Sequence, residues 1–111
     1  MIRIDWKALE QFERDNVEGI CRMFFPQGKK VGQEWKLGDV SGAAGDSLGV
    51  ALAGDKAGVW HDRATGEGGK LRNLIAAKLG LSDEAAVEEL ERAFGATFHE
   101  NGSQKDRKSV V

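Results

Sequence analysis

The apolar residues of this chain are spaced for helices, then for strands, then for helices again. Trp6, Leu9 and Phe12 line one side of a helix that Asp5 opens, and Val17, Ile20, Cys21 and Phe24 form the stripe of a second helix behind Asn16. Short polar side chains start helices because they accept backbone N–H groups that have no intrahelical partner. Pro26 ends the second helix, since its ring removes a donor and crowds the preceding turn. The polar segment from Gln27 to Gly32 reads as a loop carrying Lys29 and Lys30, and Gln33 to Leu37 as a strand with Lys36 on it and Trp35 as an inward anchor. A flexible loop from Asp39 to Asp46 follows. Leu48, Val50 and Leu52 then alternate as in a half-buried strand, and a turn at Gly54-Asp55-Lys56 returns the chain through Gly58 to Asp62. This is hairpin spacing, and it puts Trp60 and His61 on opposite faces. Thr65-Gly66 and Gly68-Gly69 break the strand, and Leu71, Leu74, Ile75 and Leu79 make the stripe of a helix from Gly69 to Leu79 that Gly80 stops. Ser82 caps a last helix, with Asp83 and Glu84 in its first turn and Val87, Leu90 and Phe94 on its apolar side.

The pattern predicts an α+β fold: a small antiparallel sheet of about three strands, ribbon-like, flanked by two N-terminal and two C-terminal helices. With 111 residues, 41% of them hydrophobic, the chain suits one domain over residues 1–98, and the polar stretch 99–111 reads as a disordered tail.

Charge changes the picture more by its distribution than by its total. Residues 26–80 carry eight Lys or Arg against six Asp or Glu, whereas residues 81–98 carry one against five. The middle of the chain is suited to meet an anion and the late helix is not. A formal net charge of −2 argues against tight nonspecific binding to duplex DNA, because that affinity comes mainly from cations displacing counterions from phosphate. The single cysteine, Cys21, excludes an internal disulfide and any thiolate-rich metal site, and its place on an apolar stripe makes it an inert core residue. No apolar run is long enough to span a bilayer and the start MIRIDWK lacks the layout of a secretory signal, so a cytoplasmic protein with no membrane partner is expected.

Motifs for catalysis are missing. Gly69-Lys70 has Ala64 where a phosphate loop needs its first glycine and Leu71 where it needs a hydroxyl, which speaks against nucleotide hydrolysis. His61 and Asp62 pair a base with a carboxylate in sequence, but neighbours in a strand point to opposite faces. No catalytic residue, metal ligand set or cofactor is assigned, and a non-enzyme is expected. The positive signal is the glycine turn before the third helix. Gly68 and Gly69 offer backbone amides, and Lys70 and Arg72 bring cations to a helix start, where orphan N–H groups and the dipole favour an anion. A tight turn with solvated charges is the alternative.

From about Asn16 to Leu79 the chain resembles the N-terminal zinc-ribbon domain of bacterial and phage DNA primases, particularly the primase-helicase type. The matching pieces are the apolar helix ending in FFPQGKKVGQEW, the Ser-Leu-Gly-Val-Ala-Leu strand and VWHDRATGEGGKLRNLI. The zinc ligands are lost. With Gly68-Gly69 laid on the family's Gly-Gly, the ligand positions fall on Asp62 and Thr65 and near Gly38 and Ser41, not a set that holds tetrahedral zinc. Packing by Trp35, Leu48, Val50, Val59 and Trp60 is expected to hold the ribbon instead. The resemblance implies a noncatalytic, metal-free module of a phage or mobile-element replication protein. Such a module engages single-stranded DNA weakly beside a primase catalytic domain or a helicase. The residues it points to are Lys29, Lys30, Lys36, Arg63, Gly68, Gly69, Lys70 and Arg72, with Trp60 or His61 as a stacking surface; Trp60 reads equally as core. A different class fits the same chain: a small protein that inhibits a host nucleic-acid machine by contact, using the acidic helix with Glu84, Glu88, Glu89 and Glu91.

Overall fold

Eleven elements follow one another in the computed structural model, which describes residues 3–100. In chain order they are β1 (Arg3–Ile4), α1 (Trp6–Asp15), α2 (Val17–Phe24), β2 (Lys29–Val31), β3 (Glu34–Leu37), β4 (Leu48–Ala51), β5 (Val59–Asp62), β6 (Gly68–Lys70), α3 (Leu71–Leu79), α4 (Asp83–Phe94) and β7 (His99–Glu100). The class is α+β with four helices, as the periodicity predicts. The main sheet, however, has five antiparallel strands in the order β2-β3-β4-β5-β6, not about three.

The two additional strands lie at the edges. All three residues of β2 are exposed, so no alternation marks it in the sequence. Its pairing with β3 closes over Gly32, whose φ of +61° suits a tight hairpin turn, a backbone state with no steric cost for glycine. β6 contains Gly68 and Gly69, expected as a turn; they are held instead by pairing to His61 and Trp60 of β5. α3 therefore begins at Leu71, two residues later than the glycine turn suggests. A further pair, β1 with β7, joins the two ends of the described chain. It includes His99 and Glu100, the first two residues of the expected tail; its remainder, residues 101–111, lies outside the described residues.

Local capping follows sequence chemistry at three of the helix ends. Asp5 accepts from Ala8 N at 3.1 Å and Ser82 from Ala85 N at 3.1 Å. Gly80 closes α3 at φ +69°, a left-handed cap. Asn16 does not cap α2. Its side-chain amide donates backward to Phe12 O at 2.9 Å, satisfying the end of α1 rather than the start of α2.

The core lies between the helices and one face of the sheet. Trp35, Leu37, Leu48, Val50 and Trp60 are buried with Leu9, Ile20, Phe25, Leu71, Leu74, Ile75, Val87 and Leu90. Trp35 Nε1 donates to Phe25 O at 3.1 Å and Trp60 Nε1 to Lys70 O at 2.9 Å, so each indole anchors a neighbouring segment while its ring fills the core. Val59 is only half-buried. It shares the face of His61, and the sheet packs on the core through Trp35, Leu48, Val50 and Trp60. Among the described residues no helix is long and apolar enough to cross a membrane.

Candidate nucleic-acid interface

Strand pairing decides what shares a face. Lys29 lies opposite Lys36, Lys36 opposite Gly49, Gly49 opposite His61, and His61 opposite Gly68. Directly paired residues project the same way, so these five form one row across all five strands. The alternation of buried Trp35, Leu37, Leu48, Val50 and Trp60 with exposed or half-exposed residues assigns the row to the outer face. From β2 to β5 the row spans roughly 14 Å at the ordinary strand spacing.

At its centre is a shallow dish of about 90 Å³ lined by Glu34, Lys36, Ser47, Gly49, His61 and Arg63. Gly49 is its floor. A Cβ added there would lie 2.9 Å from Glu34 Oε1 and 3.6 Å from Lys36 Nζ, so the missing side chain is what allows these two groups to meet over the strand. They do so at 2.7 Å. His61 is exposed, and its ring edge Cδ2 lies 3.7 Å from where a Gly68 Cβ would be. Arg63 is tied by its backbone N to Ser47 O at 2.9 Å and by Nη2 to Asp46 O at 3.0 Å; the other guanidinium N–H groups remain to donate. Lys29, Lys36, His61, Gly68 and Arg63 are thus brought together, and Glu34, Ser47 and Gly49 join them. Only the register reveals those three, since no local sequence pattern singles them out.

The other candidate residues sit elsewhere. Lys30 pairs with Trp35 across the hairpin, so it faces the helices, where its Nζ meets Glu18 at 3.2 Å. Glu18 also holds Arg22 at 2.7 Å, and the hydrogen bonds from Arg22 and then Lys30 keep its carboxyl below the ordinary range. Trp60 is 5% exposed. It belongs to the core, which leaves His61 as the aromatic surface.

The start of α3 holds an anion, and the anion is the protein's own. Glu13 of α1 is 1% exposed, and its Oε2 accepts the backbone N–H of Arg72 at 3.1 Å while Oε1 accepts from Arg72 Nη1 at 3.1 Å. This is the helix-start carboxylate that orphan N–H groups and the dipole favour. Burial pushes the Glu13 carboxyl above the ordinary value and the Arg72 charge pulls it back. Glu10 meets Lys70 at 3.0 Å and Arg72 at 3.4 Å, and the Lys70 hydrogen bond and charge lower its pKa. Arg72 also lies 4.9 Å from the Trp6 ring centre. Its side chain is only 12% exposed, whereas the sequence suggests the open side of the helix. Gly69 N–H is not at the helix start; a Cβ there would press on Asn73, whose Oδ1 accepts Lys70 N at 2.8 Å.

Around the positions where a zinc ribbon would hold its metal, short-range hydrogen bonds close each loop on itself. Ser47 Oγ donates to Gly38 O at 2.7 Å and Ser41 N to Asp39 Oδ1 at 2.9 Å. Asp62 is 1% exposed, and its Oδ1 accepts Ala64 N at 2.9 Å. Asp62 alone among the four is an anionic donor, and among the described residues no three His, Cys, Asp or Glu side chains converge on a point. The donor set does not fit a structural zinc ion.

On α4, Glu89 meets Arg92 at 2.5 Å and Glu91 Oε2 accepts Phe98 N at 2.6 Å, while Glu84 and Glu88 are exposed. The face expected to meet a basic partner is thus divided, with Glu91 engaged inside the fold. No family model, curated protein or solved structure matches the chain.

Proposed function

We propose that this chain is a noncatalytic nucleic-acid-binding module of a primase-like replication protein from a phage or mobile element, and that it lays a short stretch of single-stranded DNA across the outer face of its five-stranded sheet. The observation that carries the reading is the row Lys29, Lys36, Gly49, His61 and Gly68 with Arg63 beside it. Lys29 and Arg63 supply phosphate contacts near its two ends, His61 supplies a stacking ring, and the glycines keep the strip low enough for a chain to lie along it. Lys70 and Arg72 have no part in this, because Glu10 and Glu13 already neutralise them. The resemblance to primase zinc ribbons supports the same reading, with a catalytic primase domain or a helicase as the associated activity. No metal or cofactor takes part.

Fluorescence anisotropy with a labelled thymidine oligonucleotide tests it. Each single-strand phosphate contact contributes about 0.7 to the slope of log affinity against log salt. Lys29→Ala and Arg63→Ala should each lower the slope by roughly that amount, and Lys70→Ala should leave it unchanged. No binding at low salt would overturn the proposal.

A protein-contact reading has one observation of its own. Met23 is 52% exposed, and with Phe24 and Ala93 it lines a groove between α2 and α4 that Glu89 and Arg92 border. Under that reading Met23→Asp abolishes capture of the protein target and has no effect on DNA.

A further inference from the structure

Glu34 is out of place on a surface that only neutralises phosphate. Its carboxylate sits over the middle of the cationic row, 2.7 Å from Lys36 Nζ, with Glu34 half exposed and Lys36 17% exposed. A carboxylate repels a phosphate chain and accepts N–H donors, so what it recognises must bring donors. Lys36 is the reverse: it has three N–H groups and no acceptor, and only one is spent on Glu34. Side by side over Gly49, the two put ammonium N–H donors next to a carboxylate with two acceptor oxygens.

Among the unpaired bases that pattern has one full complement. The pairing edge of guanine offers O6 as acceptor, then N1–H and the N2 amino group as donors. Cytosine and adenine would each set a ring-nitrogen lone pair against the carboxylate, and thymine offers a single N–H between two carbonyls. These mismatches discriminate as strongly as the match does, because a charged acceptor left facing a lone pair is penalised. The dish is shallow, so it takes the edge of a ring and leaves the body of the base beside His61 for stacking. A duplex cannot use it, since its pairing edges are already occupied.

We infer that the Glu34 and Lys36 pair reads one unpaired guanine in the strand that crosses the sheet; this rests on the sheet-face reading above. The test measures anisotropy of thymidine oligonucleotides carrying one central dG, dA, dC, dT or deoxyinosine, at one salt concentration. A bidentate base contact at an exposed site should make the dG strand bind roughly fivefold to tenfold tighter than the dA, dC and dT strands. Deoxyinosine, which lacks the N2 amino group, should fall between. Glu34→Gln and Glu34→Ala should each level the series without weakening the dT strand, since a negative charge is removed from the path of phosphate. Binding by the wild-type chain with no preference among the strands overturns this inference and leaves the sheet-face proposal standing. A dG preference that survives both Glu34 variants also overturns it. Failure to bind any strand at low salt overturns both.

Discussion

Replacing Arg72 by Met removes a guanidinium while keeping most of the side chain's apolar stem. What remains is Glu13, 1% exposed, with the Arg72 backbone N–H still donating at 3.1 Å but its charged partner gone. Stripping one member from a buried ion pair costs about 3–5 kcal/mol, because the surviving charge stays desolvated. Two features hold this case to the lower end. The Lys70 charge still acts on Glu13, and the carboxyl can escape by taking a proton. The loss of the contact to the Trp6 ring adds about 0.5–1 kcal/mol, so the total expected at neutral pH is about 3.5–4 kcal/mol, or a fall in Tm of roughly 14–32 °C for a domain of this size. Urea unfolding followed by tryptophan fluorescence measures it. The cost must also shrink as pH falls toward the ordinary glutamate range, since burial already raises the Glu13 pKa and the substitution removes the main charge that lowers it. Glu13→Gln, which keeps an acceptor for the helix start, should cost only about 1 kcal/mol. A loss under 1 kcal/mol for Arg72→Met, or one that stays constant between neutral and mildly acid pH, would refute the assignment of Glu13 as the anion held by α3.

The wild-type chain should show two pH trends of opposite sign. Glu13 has a folded pKa above its unfolded value, so the native state binds more protons between them and its contribution to stability rises as pH falls through that interval. Glu10 and Asp39 are lowered, so their contributions are lost only as pH drops below the ordinary carboxylate range; equilibrium unfolding across acid pH checks both. Chelator should leave the circular dichroism and Tm unchanged, because the positions Gly38, Ser41, Asp62 and Thr65 offer no zinc set, and stoichiometric zinc by elemental analysis would contradict this. Trp60→Phe should leave a small void in the core and strand Lys70 O, which accepts the indole N–H at 2.9 Å, at a cost of about 1–3 kcal/mol for the unpaired carbonyl and more for the void, measured by thermal unfolding. Charge reversal at Glu88 and Glu89 should leave DNA affinity nearly unchanged; loss of a protein partner on that change, with no DNA binding by the wild type, would favour the contact reading.

The helices and most of their ends were legible in the sequence because their causes are local. A stripe such as Val17, Ile20, Cys21 and Phe24 specifies which side is buried, and Asp5, Ser82 and Gly80 act on groups a few residues away. The hairpin faces of Trp60 and His61 were legible for the same reason, since alternation is a property of the strand itself. The edge strands were not. Lys29 to Val31 are all exposed and Gly68-Gly69 has no side chains to pattern, so both become strands only by hydrogen bonding to β3 and β5, partners that the chain's own periodicity does not name. The anion site shows the same division. Local sequence marked the start of α3 as favourable to negative charge, but Glu13 lies 59 residues upstream of Arg72, and only the packing of α1 against α3 brings its carboxylate there. The outer row depends on tertiary structure most of all: Lys36, Gly49 and His61 belong to three strands, and a shift of one residue in register would turn any of them to the core. Composition and period determined the class of fold; long-range pairing decided which charges were left to meet a ligand.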